Sequence, residues 1–404
     1  MKYAIVIPDG CADEPVAQLG NLTPLQAARL PNMDRIAQAG VVGLANNVPS
    51  PLTPASDVAT LSLFGYDPLE CYTGRAPLEA AAMGVHLGPH DWAIRCNLVY
   101  APDGQMRDFT AGHISSDEAA QLIGALQKEL GGHEVAWGTL EFHAGVQYRH
   151  VLVWRGRTAA SPFPGTTTQP PHDIPDRPLA DYQPRGPAAE LLVALMEASK
   201  PILAAHPVNA QRIAAGKKPA TQIWLWGQGQ APRLQPFCER FGLRGAIISA
   251  VDLVRGVGAL LGWHRIDVPG ATGYLDTNYA NKGRYAVDAL GAFDLVCVHI
   301  EAPDEASHEG RADEKVKALE RIDEHIVGPL LDALPRYGEY RILVEPDHRT
   351  TLATRAHAYG PVPFATCGTG ITPHGASRYD EPTAGQFGLQ FDPGWRLMPW
   401  WLGR

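Results

Sequence analysis

The sequence predicts an α/β fold: a mostly parallel sheet sandwiched by helices, with a second α/β domain inserted into the first. Two observations lead there, namely short apolar β-branched runs that stop at acidic turns and helical spacing between or after them. Residues 3–7 are continuously apolar and end at Pro8-Asp9-Gly10, the pattern of a strand buried on both faces. Residues 293–300 run into Glu301-Ala302-Pro303-Asp304, and residues 340–344 into Glu345-Pro346-Asp347-His348. From 312 to 334, Val316, Leu319, Ile322, Ile326, Leu330 and Leu334 keep a three-to-four spacing that predicts a helix. Asp313 and Glu314 in its first turn suit the positive end of the helix dipole. Sheets of this kind place their sites beyond the carboxyl ends of the strands, where all three acidic stops lie.

A chain of 404 residues exceeds the usual size of one domain. Residues 86–240 have their own strand-like runs at 93–100, 148–154 and 222–226 and a helix near 188–199, and so read as the insertion. Residues 1–85 and 241–404 then form the first, discontinuous domain. The Pro- and Thr-rich stretch 160–187 reads as a surface loop or linker. Hydrophobic residues at 45% and charged residues at 19% are ordinary globular composition. A net charge of −9 argues against a nucleic-acid or anionic-membrane partner, so an anionic substrate must meet a local basic cluster. The six cysteines include no C-x-x-C, which suggests neither a zinc knuckle nor a disulfide framework. With an N-terminal apolar run too short for a signal peptide, the expected location is cytoplasmic.

Asp304 and His308 are four apart and, on a helix, project from one face where they can share a metal ion. Alone the pair says little: with 15 histidines, roughly one Asp-x-x-x-His arises by chance. Convergence carries more. Three strand ends each supply an acid, two of them supply a nearby histidine, and His357 follows His348 by nine residues. Oxygen and imidazole ligands without thiolate suit Mn²⁺, Co²⁺, Zn²⁺ or Mg²⁺, and the groups are too many for one ion, which implies two. Two ions clamp the attacking and leaving oxygens of a phosphoryl group, and a coordinated hydroxyl becomes a nucleophile. Ser56, expected to cap a helix starting near Asp57, fills that role, with Thr53 and Ser50 as alternatives.

The order Pro8-Asp9-Gly10, Pro54-Ala55-Ser56-Asp57, Tyr72-Thr73-Gly74-Arg75-Ala76-Pro77-Leu78-Glu79-Ala80, Trp224-Leu225-Trp226-Gly227-Gln228-Gly229, Gly270-Ala271-Thr272-Gly273-Tyr274-Leu275-Asp276-Thr277, Ala302-Pro303-Asp304-Glu305-Ala306-Ser307-His308-Glu309-Gly310 and Pro346-Asp347-His348 resembles the archaeal type of 2,3-bisphosphoglycerate-independent phosphoglycerate mutases, in the alkaline phosphatase superfamily. The resemblance covers nearly the whole chain. It implies an alkaline-phosphatase-like catalytic, metal-binding domain interrupted by a substrate-binding domain. Asp304, His308 and His357 would hold one divalent ion, with Mn²⁺ the first expectation, and Asp9, Ser56, Asp347 and His348 the other. Ser56 would take the phosphoryl group from 3-phosphoglycerate and return it to the 2-hydroxyl. Ser307 stands where glycine is expected and Arg349 where proline is usual, which leaves a homoserine-kinase-like phosphotransferase or a phosphatase as alternatives. Arg75, Arg95 and Arg255 are the expected grips for the substrate's carboxylate and phosphate, Arg149 reads as a surface charge, and Asp108 is a candidate general base. The expected partner is a small phosphorylated hydroxy acid, and the oligomeric state is open.

Overall fold

Three short apolar runs become the middle of a sheet. In the computed structural model, which describes residues 1–404, Lys2–Pro8 lies between Leu295–Ile300 and Tyr340–Val344 and is parallel to both. The chain divides into two units, residues 1–72 with 233–404, and residues 73–232.

The first unit carries an eight-stranded sheet in the order Gln390–Phe391, Gly40–Ala45, Val362–Gly368, Tyr340–Val344, Lys2–Pro8, Leu295–Ile300, Gly245–Ile248, His264–Arg265. Val362–Gly368 is antiparallel to both its neighbours, and the other pairings are parallel. Apolar side chains of the central strands bury against helices such as Pro31–Ala39, Tyr279–Ala289 and Ala312–Ile322. Register sets the strand ends level with one another: Pro8 is opposite Ile300 and Val6 opposite Val344, so Asp9, Glu301 and Glu345 leave the sheet side by side.

The helix expected over 312–334 is interrupted. Ala312–Ile322 widens into one π turn at Asp323–Val327 and resumes as Gly328–Ala333. Pro329 has no N–H to offer the His325 carbonyl, so the regular ladder cannot pass through it. That carbonyl is met by Gly283 of Tyr279–Ala289, where a Cβ would lie 1.9 Å from it. The apolar spacing survives the interruption because its six members still face the sheet.

The second unit is built on a five-stranded antiparallel sheet, Glu134–Val135, Gly138–His143, Arg149–Gly156, Trp92–Val99, Gln222–Gly229. Its helices Ser116–Leu130, begun by a Ser115/Glu118 capping box, and Ala189–Ala204 bury Leu122, Leu126, Leu192 and Leu195 in the same core. The boundaries differ from those read in the sequence. Helix Arg75–Ala82, expected in the first domain, packs Ala76 and Ala80 on Ala93, Val151 and Val153 of this sheet, so the unit begins at Thr73 rather than 86. It ends at Pro232 rather than 240, since Phe237 and Phe241 pack on Trp263 and Tyr66 of the first unit. No single helix is long and apolar enough to cross a membrane.

Candidate metal centre

Each acidic stop ends a buried strand and therefore carries its carboxylate into the same small volume. Asp9 and Asp347 are fully buried, and Asp304 and His348 nearly so. Gly10 permits the crowding: its φ of +60° turns the chain away, and a Cβ there would lie 2.3 Å from Asp304 Oδ1 and 2.6 Å from Thr350 Oγ1. Asp304 and His308 do share a helix face, on Ala302–His308, with His308 Nε2 3.1 Å from Asp304 Oδ2. A short hairpin, Arg349–Thr351 with Ala356–Ala358, brings His357 opposite Thr350 and thus back to His348, the ring centroids being 4.4 Å apart.

Ser56 is the hydroxyl that reaches this volume. The expectation that it caps its helix is wrong: Ala55 is the capping residue, Ser56 is the first residue of Ser56–Leu63, and its side chain does not bond its own helix end. Its Oγ lies 3.1 Å from His348 Nε2 and 3.5 Å from Asp9 Oδ2 instead. Ser50 and Thr53 are exposed.

Hydrogen bonding settles which imidazole nitrogens face the cluster. His308 Nδ1 is 2.9 Å from the Arg355 carbonyl and His357 Nδ1 is 3.0 Å from the Pro54 carbonyl, so both donate through Nδ1. Their Nε2 atoms then meet at 3.1 Å beside the Asp304 carboxylate, where a proton on His308 or a bound divalent ion satisfies them. Asp347 Oδ1 accepts from the Gly10 and His348 N–H groups, while Asp347 Oδ2 and Asp9 Oδ1 are buried without any hydrogen bond. Such orphans are what a divalent ion satisfies. Three groupings of ligand atoms lie within 4.8 Å: Asp304, His348 and His357; Asp9, His299 and Asp347; Asp9, Glu301 and Asp304.

The electrostatics of the cluster point the same way. Burial, then Asp347 and Asp304, push the Asp9 carboxyl well above its usual range. Burial works against ionised Asp304 too, but the His308 and His357 imidazoles outweigh it and hold that group well below its usual range. Hydrogen bonding to Asp304 raises His308 to about 9. Burial lifts Glu345 to about 8, and burial with Glu305 and Asp304 lifts Glu301 to about 8. Acids crowded until some must stay protonated form a site in which metal binding displaces protons.

Several residues escaped the sequence reading. His299, one residue before the end of the strand Leu295–Ile300, lies 3.0 Å from Asp9 Oδ2; its only sequence signal is being the one imidazole in an otherwise apolar run. Thr350 donates its hydroxyl to Asp304 Oδ1 and lies 3.2 Å from His348 Nδ1, linking residues on two sides of the cluster. Asn47 holds Glu345 Oε1 at 2.9 Å and the Asp347 carbonyl at 3.1 Å. Buried Lys315 bonds Asp13 Oδ2 and the Thr350 carbonyl at 2.9 and 2.8 Å, tying the hairpin to helix Ala312–Ile322. The unusual Ser307 is accommodated, donating to the Pro303 carbonyl one turn back at 2.7 Å.

The expected arginines are divided between the two units. Arg255 belongs to the first unit, but its guanidinium pairs with Asp267 at 2.7 Å. Arg75 and Arg95 are in the second unit. Arg95 is buried, held by Glu79 through Nε and Nη2 at 2.9 and 2.7 Å and stacked 3.9 Å over Trp226. Asp108 pairs with Lys218 at 2.8 Å and is also bonded by Thr110; against its burial these hold its carboxyl at about 2.

Hydroxyl, carboxylates and imidazoles converging beyond the carboxyl ends of parallel strands define an α/β enzyme whose site suits divalent cations. Comparison with known proteins makes the class specific. Residues 37–209 match the family model of 2,3-bisphosphoglycerate-independent phosphoglycerate mutase. The mutase of that name from Methanothrix thermoacetophila is 49% identical over 96% of both chains, and the probable one from Geobacter sulfurreducens is 49% identical over 100% of both. The solved cofactor-independent phosphoglycerate mutase of Thermoplasma acidophilum matches 100% of this chain and 99% of its own at 27% identity and a TM-score of 0.69. A Pyrococcus horikoshii protein matches 100% and 97% at 29% identity and 0.81. The chain belongs to the 2,3-bisphosphoglycerate-independent phosphoglycerate mutases.

Proposed function

We infer that the enzyme interconverts 3-phosphoglycerate and 2-phosphoglycerate through a phosphoserine at Ser56, with two divalent ions, Mn²⁺ first among them. The observation that carries the nucleophile is the Ser56 hydroxyl, released from helix capping and set 3.1 Å from His348 Nε2 and 3.5 Å from Asp9 Oδ2. Asp304, His308 and His357 would hold one ion; Asp9, Asp347, His348 and Ser56 would hold the other. Bound divalent ions supply Lewis acidity, which lowers the pKa of a hydroxyl and neutralises phosphoryl charge.

The chain's own groups do the rest. Ser56 Oγ, stripped of its proton, attacks phosphorus, and the departing 3-oxygen of glycerate takes up a proton. The 2-hydroxyl of the retained glycerate then loses its proton and attacks phospho-Ser56, restoring the serine. Ser56 is the first residue of Ser56–Leu63, at the positive end of the helix dipole, which would favour phosphoryl charge there. Arg75 and Arg95 are assigned to the substrate's anionic groups; the Glu79 pair engages Nε and Nη2 of Arg95 and leaves Nη1 outside it.

One assay tests the reading: metal-loaded enzyme with 3-phosphoglycerate and no 2,3-bisphosphoglycerate, following 2-phosphoglycerate and free phosphate together. The mutase yields 2-phosphoglycerate with little phosphate. Stoichiometric phosphate release would establish the phosphatase instead, and the names of the relatives favour the mutase over both alternatives.

A further inference from the structure

Three side chains at the base of the cluster share an unusual property. Asp9, Asp347 and His299 are each fully buried, and each has one ligand atom without a hydrogen bond: Asp9 Oδ1, Asp347 Oδ2 and His299 Nε2. These residues form one of the groupings whose ligand atoms lie within 4.8 Å. His299 Nε2 is 3.0 Å from Asp9 Oδ2, close enough for a hydrogen bond but not aligned for one. A structural histidine buried beside a carboxylate would turn to make that bond, since a buried unsatisfied polar atom costs about 1–3 kcal/mol.

The other ring nitrogen explains why it does not. His299 Nδ1 is 3.2 Å from Ser249 Oγ, which already accepts from the Val251 N–H at 3.0 Å and has a second lone pair for the Nδ1 proton. With its proton on Nδ1, the ring presents a bare Nε2 lone pair to two carboxylates, which is how a metal-ligating imidazole is held. Spacing agrees. Ligands about 2.1 Å from one ion are about 3.0 Å apart at the edge of an octahedron and about 3.4 Å at that of a tetrahedron. The distances are 3.0 Å from His299 Nε2 to Asp9 Oδ2, 3.4 Å from His348 Nε2 to Asp9 Oδ1 and 3.6 Å from His348 Nε2 to Asp347 Oδ2.

We propose that His299 is a direct ligand, through Nε2, of the ion held by Asp9, Asp347 and His348, an imidazole beyond the ligand set that the family resemblance implies. It comes from the strand paired beside Asp9, whereas Ser56 comes from the start of the helix Ser56–Leu63 as the exchangeable partner of the phosphoryl group. Two imidazoles and two carboxylates would anchor that ion without help from Ser56, so the serine could leave the ion on phosphorylation without releasing it.

The inference rests on the two-ion reading, and the test separates their failures. Chelator-stripped wild-type protein and His299→Gln are loaded with Co²⁺; metal content is measured after gel filtration, and affinity by titrating the visible absorption. Wild type holds two ions, while His299→Gln holds one tightly and the second at least tenfold more weakly. His308→Ala, acting on the other centre, serves as the reference. If both proteins hold two ions with equal affinity, His299 is not a ligand although the two-ion centre stands. A wild type holding no ion overturns both. Should His299→Gln fail to fold, the Co²⁺-loaded wild type decides: four hyperfine-shifted, exchangeable imidazole N–H resonances support His299, His308, His348 and His357 as ligands, and three overturn the assignment.

Discussion

The two units treat buried charge in opposite ways. In the second, buried and half-buried guanidinium groups are met by carboxylates: Arg95 by Glu79, Arg155 by Asp91 and Glu141, Arg212 by Glu118. In the first, Asp9, Asp304, Asp347, Glu301 and Glu345 converge with imidazoles whose Nε2 atoms face one another, and orphaned oxygens remain. A paired buried charge is satisfied within the fold, whereas the orphaned oxygens of the cluster gain their partner from a bound ion.

The largest effect should come from Ser56→Ala. Turnover should fall by on the order of 10⁴ or more, because the covalent route disappears, while the melting temperature stays near that of wild type. Mass spectrometry of wild type quenched during turnover should place phosphate on the Ser56 peptide. A label on Thr53 or Ser50, or near-normal activity in the variant, would displace the nucleophile.

Next is Glu79→Ala, which strands Arg95 in the interior of the second unit. Burial already holds the Arg95 guanidinium below its usual range despite Glu79, so the loss should be about 3–5 kcal/mol in urea unfolding. The double variant Glu79→Leu with Arg95→Met should recover most of that stability, as expected of a paired scaffold. If the double variant is no better than the single, the contrast between the units is misdrawn.

Thr350→Val keeps the shape and removes the hydroxyl shared by Asp304 and His348. Metal affinity should weaken about 10–100-fold with little change in the metal-free melting temperature. Unchanged affinity would show that the link between the two sides of the cluster is incidental.

The smallest effect concerns pH in chelator-treated protein. Glu345, at about 8 in the fold against about 4.3 unfolded, favours folding while protonated, and its contribution is lost as pH rises between those values. His308, at about 9 against about 6.5, contributes fully below the lower value and loses its contribution as pH rises through the higher. Both signs agree, and above pH 7 the histidines that burial lowers, such as His299 at about 4, are neutral in both states, so calorimetry should show the metal-free melting temperature falling by several degrees from pH 7 to 9. Glu345→Gln should flatten the lower part of that slope, and a melting temperature rising over the range would refute the account.

Much was legible along the chain because it is local. Strands 2–8, 295–300 and 340–344 announce themselves by largely apolar runs, and Asp304 with His308 by helical spacing. The placement of Ser56 was legible but its reason was not: residue type suggests a cap, and only the neighbouring strand end shows that Asp9 and His348 stand where the hydroxyl points. The 312–334 helix was legible as an apolar stripe, while its π turn depends on Pro329 and on the close approach of Gly283.

By itself the sequence determined the α/β order of elements, the acidic stops and the family, because each is written in contiguous residues whose periodicity or type survives without partners. Only the tertiary structure decided the domain boundary at Thr73, the engagement of Arg255 and Asp108 by other charges, and the entry of His299 and Thr350 into the cluster. These depend on which strand lies beside which and in what register. A histidine within an apolar run acquires meaning only when Asp9, some 290 positions earlier, is paired one strand away.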